Sequence, residues 1–89
     1  MTRCSEWTWD RSAGRLVRSW TFDSFRNLMN CLTQIAELAE RLDHHPHIIT
    51  CHTHLEIQLS THDAKGLTEL DFQLAERIDF VIETGFMTK

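Results

Sequence analysis

The residues with the most chemistry in this chain are six histidines. His44, His45, His47, His52, His54 and His62 are all the histidines it has, and its only proline, Pro46, stands among them. Imidazole is the side chain whose ordinary pKa lies nearest neutrality, so it both gives and takes protons at working pH. It is also a common ligand for Zn, Cu or Ni. Metal binding, proton transfer and plain surface decoration are therefore the three roles to weigh.

The spacing speaks against a metal. His44 and His45 are adjacent, and neighbours at a helix end point in different directions. There is no HExxH, and the three cysteines, Cys4, Cys31 and Cys51, are too far apart to form a CxxC knuckle or a disulfide framework. They read as buried or idle thiols. Covalent catalysis finds no support either, since no GxSxG is present and no cysteine accompanies the histidines expected to converge. Proton shuttling without a covalent intermediate remains: loss or addition of water, or an isomerisation. His47, His52 and His54 read as solvated side chains.

The elements around the cluster decide which histidines meet. Apolar residues at 25, 28, 29, 32, 35, 36, 39 and 42 follow the spacing of an amphipathic helix. It is expected over roughly 23–42, capped by Asp23 or Thr21 and ended ahead of Pro46, because the residue before a proline is pushed out of helical geometry. Residues 48–52 are rich in β-branched side chains, and Leu55, Ile57 and Leu59 alternate with polar ones, as in a half-buried strand. A turn at Thr53-His54 makes paired positions sum to 107 and sets His62 opposite His45. His44, His45 and His62 then meet at one rim. His52 and His54 sit at the far tip, ~20–25 Å away at ~3.3 Å per residue.

The same reading gives the rest of the chain. Residues 5–9 form a short strand with Trp7 and Trp9 on one face. Asp10 to Gly14 is turn chemistry, and residues 15–22 return with Leu16, Trp20 and Phe22 on one parity, interrupted by Arg18. Leu67, Leu70, Leu74, Ala75, Ile78, Val81 and Ile82 mark a last helix. Thr68 and Asp71 are spaced as its capping box, and Gly85 offers a left-handed end. The expected order is β-β-α-β-β-α: an α+β fold, a four-stranded antiparallel sheet with both helices packed on one face.

Eighty-nine residues are read as one domain, 1–89, whose own core is modest. The net charge of −4 and scattered lysines and arginines argue against nucleic acid as a partner. No apolar run approaches the roughly 18 residues that span a bilayer, and MTRCSEWTWD lacks the apolar segment of a signal peptide, so a cytoplasmic location is expected.

With these residues in hand, Glu40-x-x-x-His44-His45-Pro46 followed by Ser60-Thr61-His62 and Asp71, the chain resembles the pterin-4a-carbinolamine dehydratases, also called dimerisation cofactors of a hepatocyte nuclear factor. AERLDHHP and LSTHDAKGLTELDFQLAERID are close to the family's signature, and TFDSFRNLM and Trp7 match in spacing. The resemblance covers essentially the whole chain. It implies dehydration of 4a-hydroxytetrahydropterin to quinonoid dihydropterin, in tetrahydrobiopterin recycling for an aromatic amino acid hydroxylase, with no metal or organic cofactor. It implies a homodimer formed by joining sheets, or a homotetramer formed through the long helices.

The resemblance further implies catalytic histidines at His44, His45 and His62, and pterin contacts from Asp43, His44, His45 and Pro46 and from Ser60, Thr61, His62 and Asp63. Glu40, one helical turn before His44, is placed to orient it, and Asp71 is a second orienting candidate that a helix cap explains equally well. The chain departs from many members at His52, Ile48 and Ile49, where they carry aromatic residues. It also begins near the first strand, whereas the animal proteins have an additional amino-terminal helix, which weakens the expectation of a transcriptional role. The alternative function is an oligomeric interaction protein or transcriptional cofactor that docks partner helices on the long apolar face from Phe25 to Leu42.

Overall fold

A computed structural model describes residues 6–60 and 67–86. Its elements run β1 (Thr8–Asp10), β2 (Arg15–Thr21), α1 (Phe25–Leu42), β3 (His47–Cys51), β4 (His54–Leu59) and α2 (Glu69–Gly85). The four strands form one antiparallel sheet in the order β1-β2-β4-β3. The expected α+β architecture and element order are therefore found.

Register explains where the core lies. Leu16, Arg18 and Trp20 of β2 stand opposite Leu59, Ile57 and Leu55 of β4, so their side chains share one face of the sheet. Onto that face pack Leu28, Cys31 and Ile35 of α1 and Leu74, Ala75, Ile78 and Ile82 of α2, in one continuous cluster. Leu55, Ile57 and Leu59 are wholly buried. Each contributes on the order of 1.5–3 kcal/mol by leaving water. Cys31 is buried on the inner face of α1 as its spacing implied, and burial pushes its thiol up to about 11. Cys51 lies exposed on β3.

Arg18 interrupts the apolar parity of β2 for a structural reason. Its Nη1 donates to Asp79 Oδ1 on α2 at 2.8 Å, and its guanidinium lies 4.9 Å from the centre of the Trp20 ring. The indole N–H of Trp7 donates to the same carboxylate at 3.0 Å, while the Trp7 and Trp20 rings meet edge to face. Asp79 thus ties α2 to the sheet and to the segment entering β1. Burial raises its carboxyl above the ordinary range, against the lowering effect of Trp7 and Arg18. The two tryptophans expected on one face part company: Trp7 precedes β1 and is buried, whereas Trp9 is half exposed with Arg11 stacked 4.6 Å from its ring centre.

Three local expectations are corrected. The side chain of Ser24, rather than Asp23 or Thr21, caps α1 by accepting from the Asn27 N–H; Asp23 instead accepts from the Asn27 side-chain amide. Gly85 is the last residue of α2 and has no left-handed conformation; the helix ends at Phe86, with φ −131°. The second hairpin turns at His52-Thr53, one residue earlier than expected. Cys51 pairs with His54 and His47 with Gln58, so paired positions sum to 105. His52 takes φ 55°, the positive value that a tight two-residue hairpin requires at its first position. Histidine enters this region more readily than bulky or β-branched residues. The Thr53 carbonyl then accepts from the Phe22 N–H at 2.8 Å, tying the hairpin tip to the end of β2.

Candidate functional site

The end of α1 is built so that two consecutive histidines leave it in different directions. Asp43 adopts a left-handed conformation, φ 51° and ψ 44°. Its N–H donates to the Glu40 carbonyl at 3.2 Å, and the His44 N–H donates to the Ala39 carbonyl at 3.0 Å. This pair of bonds is the Schellman termination, which normally favours glycine at the left-handed residue; aspartate is among the few others that tolerate it. The helix therefore stops at Leu42 through its own cap, three residues before His45, the position that Pro46 would restrict.

His44 turns inward. Its side chain is 11% exposed, and Nε2 lies 2.5 Å from Oδ1 of Asp71, whose side chain is wholly buried. Asp71 is the third residue of α2, and its other oxygen, Oδ2, accepts the Thr68 backbone N–H at 2.9 Å. One carboxylate thus performs two tasks: it closes the reciprocal cap of α2 and holds an imidazole from the end of α1. Its charge also sits where the helix N-terminus favours an anion. Of the two explanations weighed for Asp71 in the sequence, the cap is found, and the same side chain also contacts His44.

His45 turns outward. Its Nε2 lies 2.7 Å from Oε2 of Glu40, with side chains 58% and 76% exposed. Glu40 was expected to orient His44 from one helical turn away, and the structure pairs it with His45 instead. The left-handed Asp43 carries His44 off the helical track, so the i, i+4 relation no longer applies. An exposed pair of this kind contributes little, because water and salt screen it.

Of the other expected site residues, Asp43 has the backbone role just described, and Pro46 follows the histidines as the residue before β3. Ser60 ends β4. Thr61, His62 and Asp63, and with them the expected meeting of His62 with His44 and His45, lie outside the described residues. His52 and His54 sit at the hairpin tip and His47 opens β3, all exposed. Among the described residues no three His, Cys, Asp or Glu side chains are grouped as a metal site. A groove of about 600 Å³ lined by Leu38, Gln73, Arg77 and Phe80 among others contains none of the histidines.

This geometry places a buried carboxylate–imidazole pair beside an exposed one at a single helix end, an arrangement suited to moving protons. Residues 1–81 match the family model described as pterin 4 alpha carbinolamine dehydratase. A protein of Synechococcus sp. (strain WH7803), provisionally named a pterin-4-alpha-carbinolamine dehydratase, is 44% identical over 71 residues, covering 80% of this chain and 76% of its own length. One of Sinorhizobium medicae with the same provisional name is 40% identical, over 91% of this chain and 77% of its own. A crystal structure from Brucella melitensis, described as a transcriptional coactivator/pterin dehydratase, superposes with a TM-score of 0.85 at 29% identity, covering 89% and 84% of the two chains. A pterin dehydratase-like protein described as a RuBisCO assembly factor of the alpha-carboxysome shares the fold at 22% identity and a TM-score of 0.75, over 90% and 93%. With its sequence matched almost from end to end and its fold shared, the chain belongs to the pterin 4 alpha carbinolamine dehydratase family.

Proposed function

We propose that this protein dehydrates 4a-hydroxytetrahydropterin to quinonoid dihydropterin by histidine acid–base catalysis. The observation that carries the reading is His44 held at 2.5 Å by a wholly buried Asp71 at the end of α1. The reaction asks for little else. The C4a–O bond breaks as a proton reaches the departing hydroxyl, the N5 proton leaves, and its electron pair becomes the C4a=N5 double bond. Two positioned imidazoles supply both transfers, and neither a metal nor an organic cofactor is called upon. In this reading His44 and His62 carry the protons and His45 positions or shares. Asp71 orients His44 and Glu40 orients His45. Asp43, Pro46 and the segment Ser60-Thr61-His62-Asp63 surround the pterin.

Once a reductase had supplied two electrons to the quinonoid product, the resulting tetrahydropterin would return to an aromatic amino acid hydroxylase, placing the enzyme in tetrahydrobiopterin recycling in the cytoplasm. A homo-oligomer fits the free edge of the sheet. β3 is exposed at every residue, and Ile48 and Ile49 are 39% and 43% exposed there. Joining two sheets at such an edge would cover these side chains and pair the open backbone groups.

The test is direct. Decay of 4a-hydroxytetrahydropterin, followed by absorbance, should be faster with the wild-type chain than in buffer, and His44→Ala and His62→Ala should each remove most of that acceleration. Wild-type decay no faster than buffer would end the enzyme reading. A second reading, an interaction protein, is favoured by the coactivator and assembly-factor descriptions of its structural neighbours. It would gain if a helical partner bound wild type and His44→Ala equally in the absence of any dehydration.

A further inference from the structure

The two oxygens of Asp71 are not equivalent, and their difference fixes the hydrogen on His44. Oδ2 faces the Thr68 backbone N–H at 2.9 Å, a group that only donates. Oδ1 faces Nε2 of His44 at 2.5 Å. An ionised carboxylate only accepts, so the imidazole nitrogen facing it must carry the hydrogen. We propose that Asp71 locks neutral His44 in the Nε2–H tautomer and thereby makes Nδ1 the nitrogen His44 presents to a reacting proton. Asp71 is in this sense a positioning residue, acting through His44, and the inference rests on the dehydratase reading only for what Nδ1 goes on to do.

The neighbouring pair shows what the lock adds. His45 also turns Nε2 toward a carboxylate, that of Glu40, yet both side chains stand more than half exposed. Water there replaces either partner at little cost, so nothing holds His45 in one tautomer. His44 is 11% exposed and Asp71 not at all, so loss of their bond would leave polar atoms without water to replace it.

The substitution Asp71→Asn turns this argument into a reversal. The Thr68 N–H still demands an oxygen, which orients the new amide with its carbonyl toward Thr68 and its NH₂ toward His44. Nε2 must then accept, the hydrogen moves to Nδ1, and the presented nitrogen is blocked although every heavy atom keeps its place. The same logic underlies the loss of activity when the aspartate of a serine-protease triad is replaced by asparagine, about 10⁴-fold.

The tautomers are read from imidazole ¹⁵N shifts and their ring-proton couplings in labelled, substrate-free protein at about pH 8, where an ordinary imidazole is neutral. Wild-type His44 should show a protonated Nε2 and an unprotonated Nδ1, with His45 averaging between forms as the internal reference. Asp71→Asn should invert His44 and leave His45 unchanged, with dehydration slowed about 10²–10⁴-fold. A protonated Nδ1 in neutral wild-type His44, or an uninverted His44 in the folded variant, would overturn the proposal. Should the variant fail to fold, the wild-type spectrum still decides. Because no substrate enters this measurement, a protein found to lack dehydratase activity would lose the proposed function and keep the tautomer assignment.

Discussion

His44 and His45 are chemically identical neighbours, each with Nε2 on a carboxylate, and the fold gives them opposite circumstances. The His44–Asp71 pair joins two helices and is shielded from water; the His45–Glu40 pair lies on one helix end and is bathed in it. The difference arises at a single residue. Asp43 in the left-handed region turns the chain so that one imidazole reaches Asp71 in the first turn of α2 and the next points out. What this teaches is that a hydrogen-bond distance alone says little: 2.5 Å and 2.7 Å describe bonds whose consequences differ because one partner set has been dehydrated and the other has not.

The comparison can be broken most forcefully at His44. Under the proposed function, His44→Ala should slow dehydration ~10²–10⁴-fold, the range for a positioned general acid or base, while His45→Ala should cost at least about tenfold less. Equal losses at the two positions would erase the distinction. Asp71→Ala removes the acceptor of both the His44 imidazole and the Thr68 N–H. Urea unfolding should show a loss of roughly 1–3 kcal/mol, the cost of leaving a buried donor without its acceptor.

Asp79 sharpens the comparison by pH. Its carboxyl is raised above the ordinary range chiefly by burial, so the folded state favours its protonated form. Its contribution to stability is therefore present below the unfolded value of ~3.9 and lost as pH rises through the raised folded value. The unfolding free energy of wild type relative to Asp79→Asn should accordingly decline as pH is raised from about 3 to about 6. A difference flat with pH would mean that Trp7 and Arg18 balance burial, and one that rises with pH that they outweigh it. Glu40→Gln is the smallest change: stability should stay within about 0.5 kcal/mol of wild type, as for ordinary exposed positions. A larger loss would show the outer pair to be worth more than its exposure implies.

Much of this was legible in the residues. The apolar spacing of α1, the alternation of β4 and the order of elements follow from periodicity, because one face of each element must leave water. The Thr68–Asp71 cap was visible as a local spacing, and Arg18 betrayed itself by breaking the apolar parity of β2, although its partners, Asp79 and Trp7, could not be seen. The hairpin turn was misplaced by one residue because no glycine or asparagine marks it, and His52 took the positive φ that such a residue would have signalled. Glu40 was matched to the wrong histidine for a similar reason. Helical spacing was extended past Leu42, where the backbone had already left the helix.

The sequence by itself determined the element types, the α+β class, the gathering of histidines at the end of a long helix and the resemblance to a family. Local propensity and hydrophobic period reach that far because they act between near neighbours. Only the tertiary structure decided that Asp71, 27 positions away, reaches His44, that Glu40 lies beside His45, and that one pair is largely buried and the other exposed. Burial is set by how α1 and α2 pack together on the sheet, and no spacing along the chain encodes which side chains that packing will seal from water.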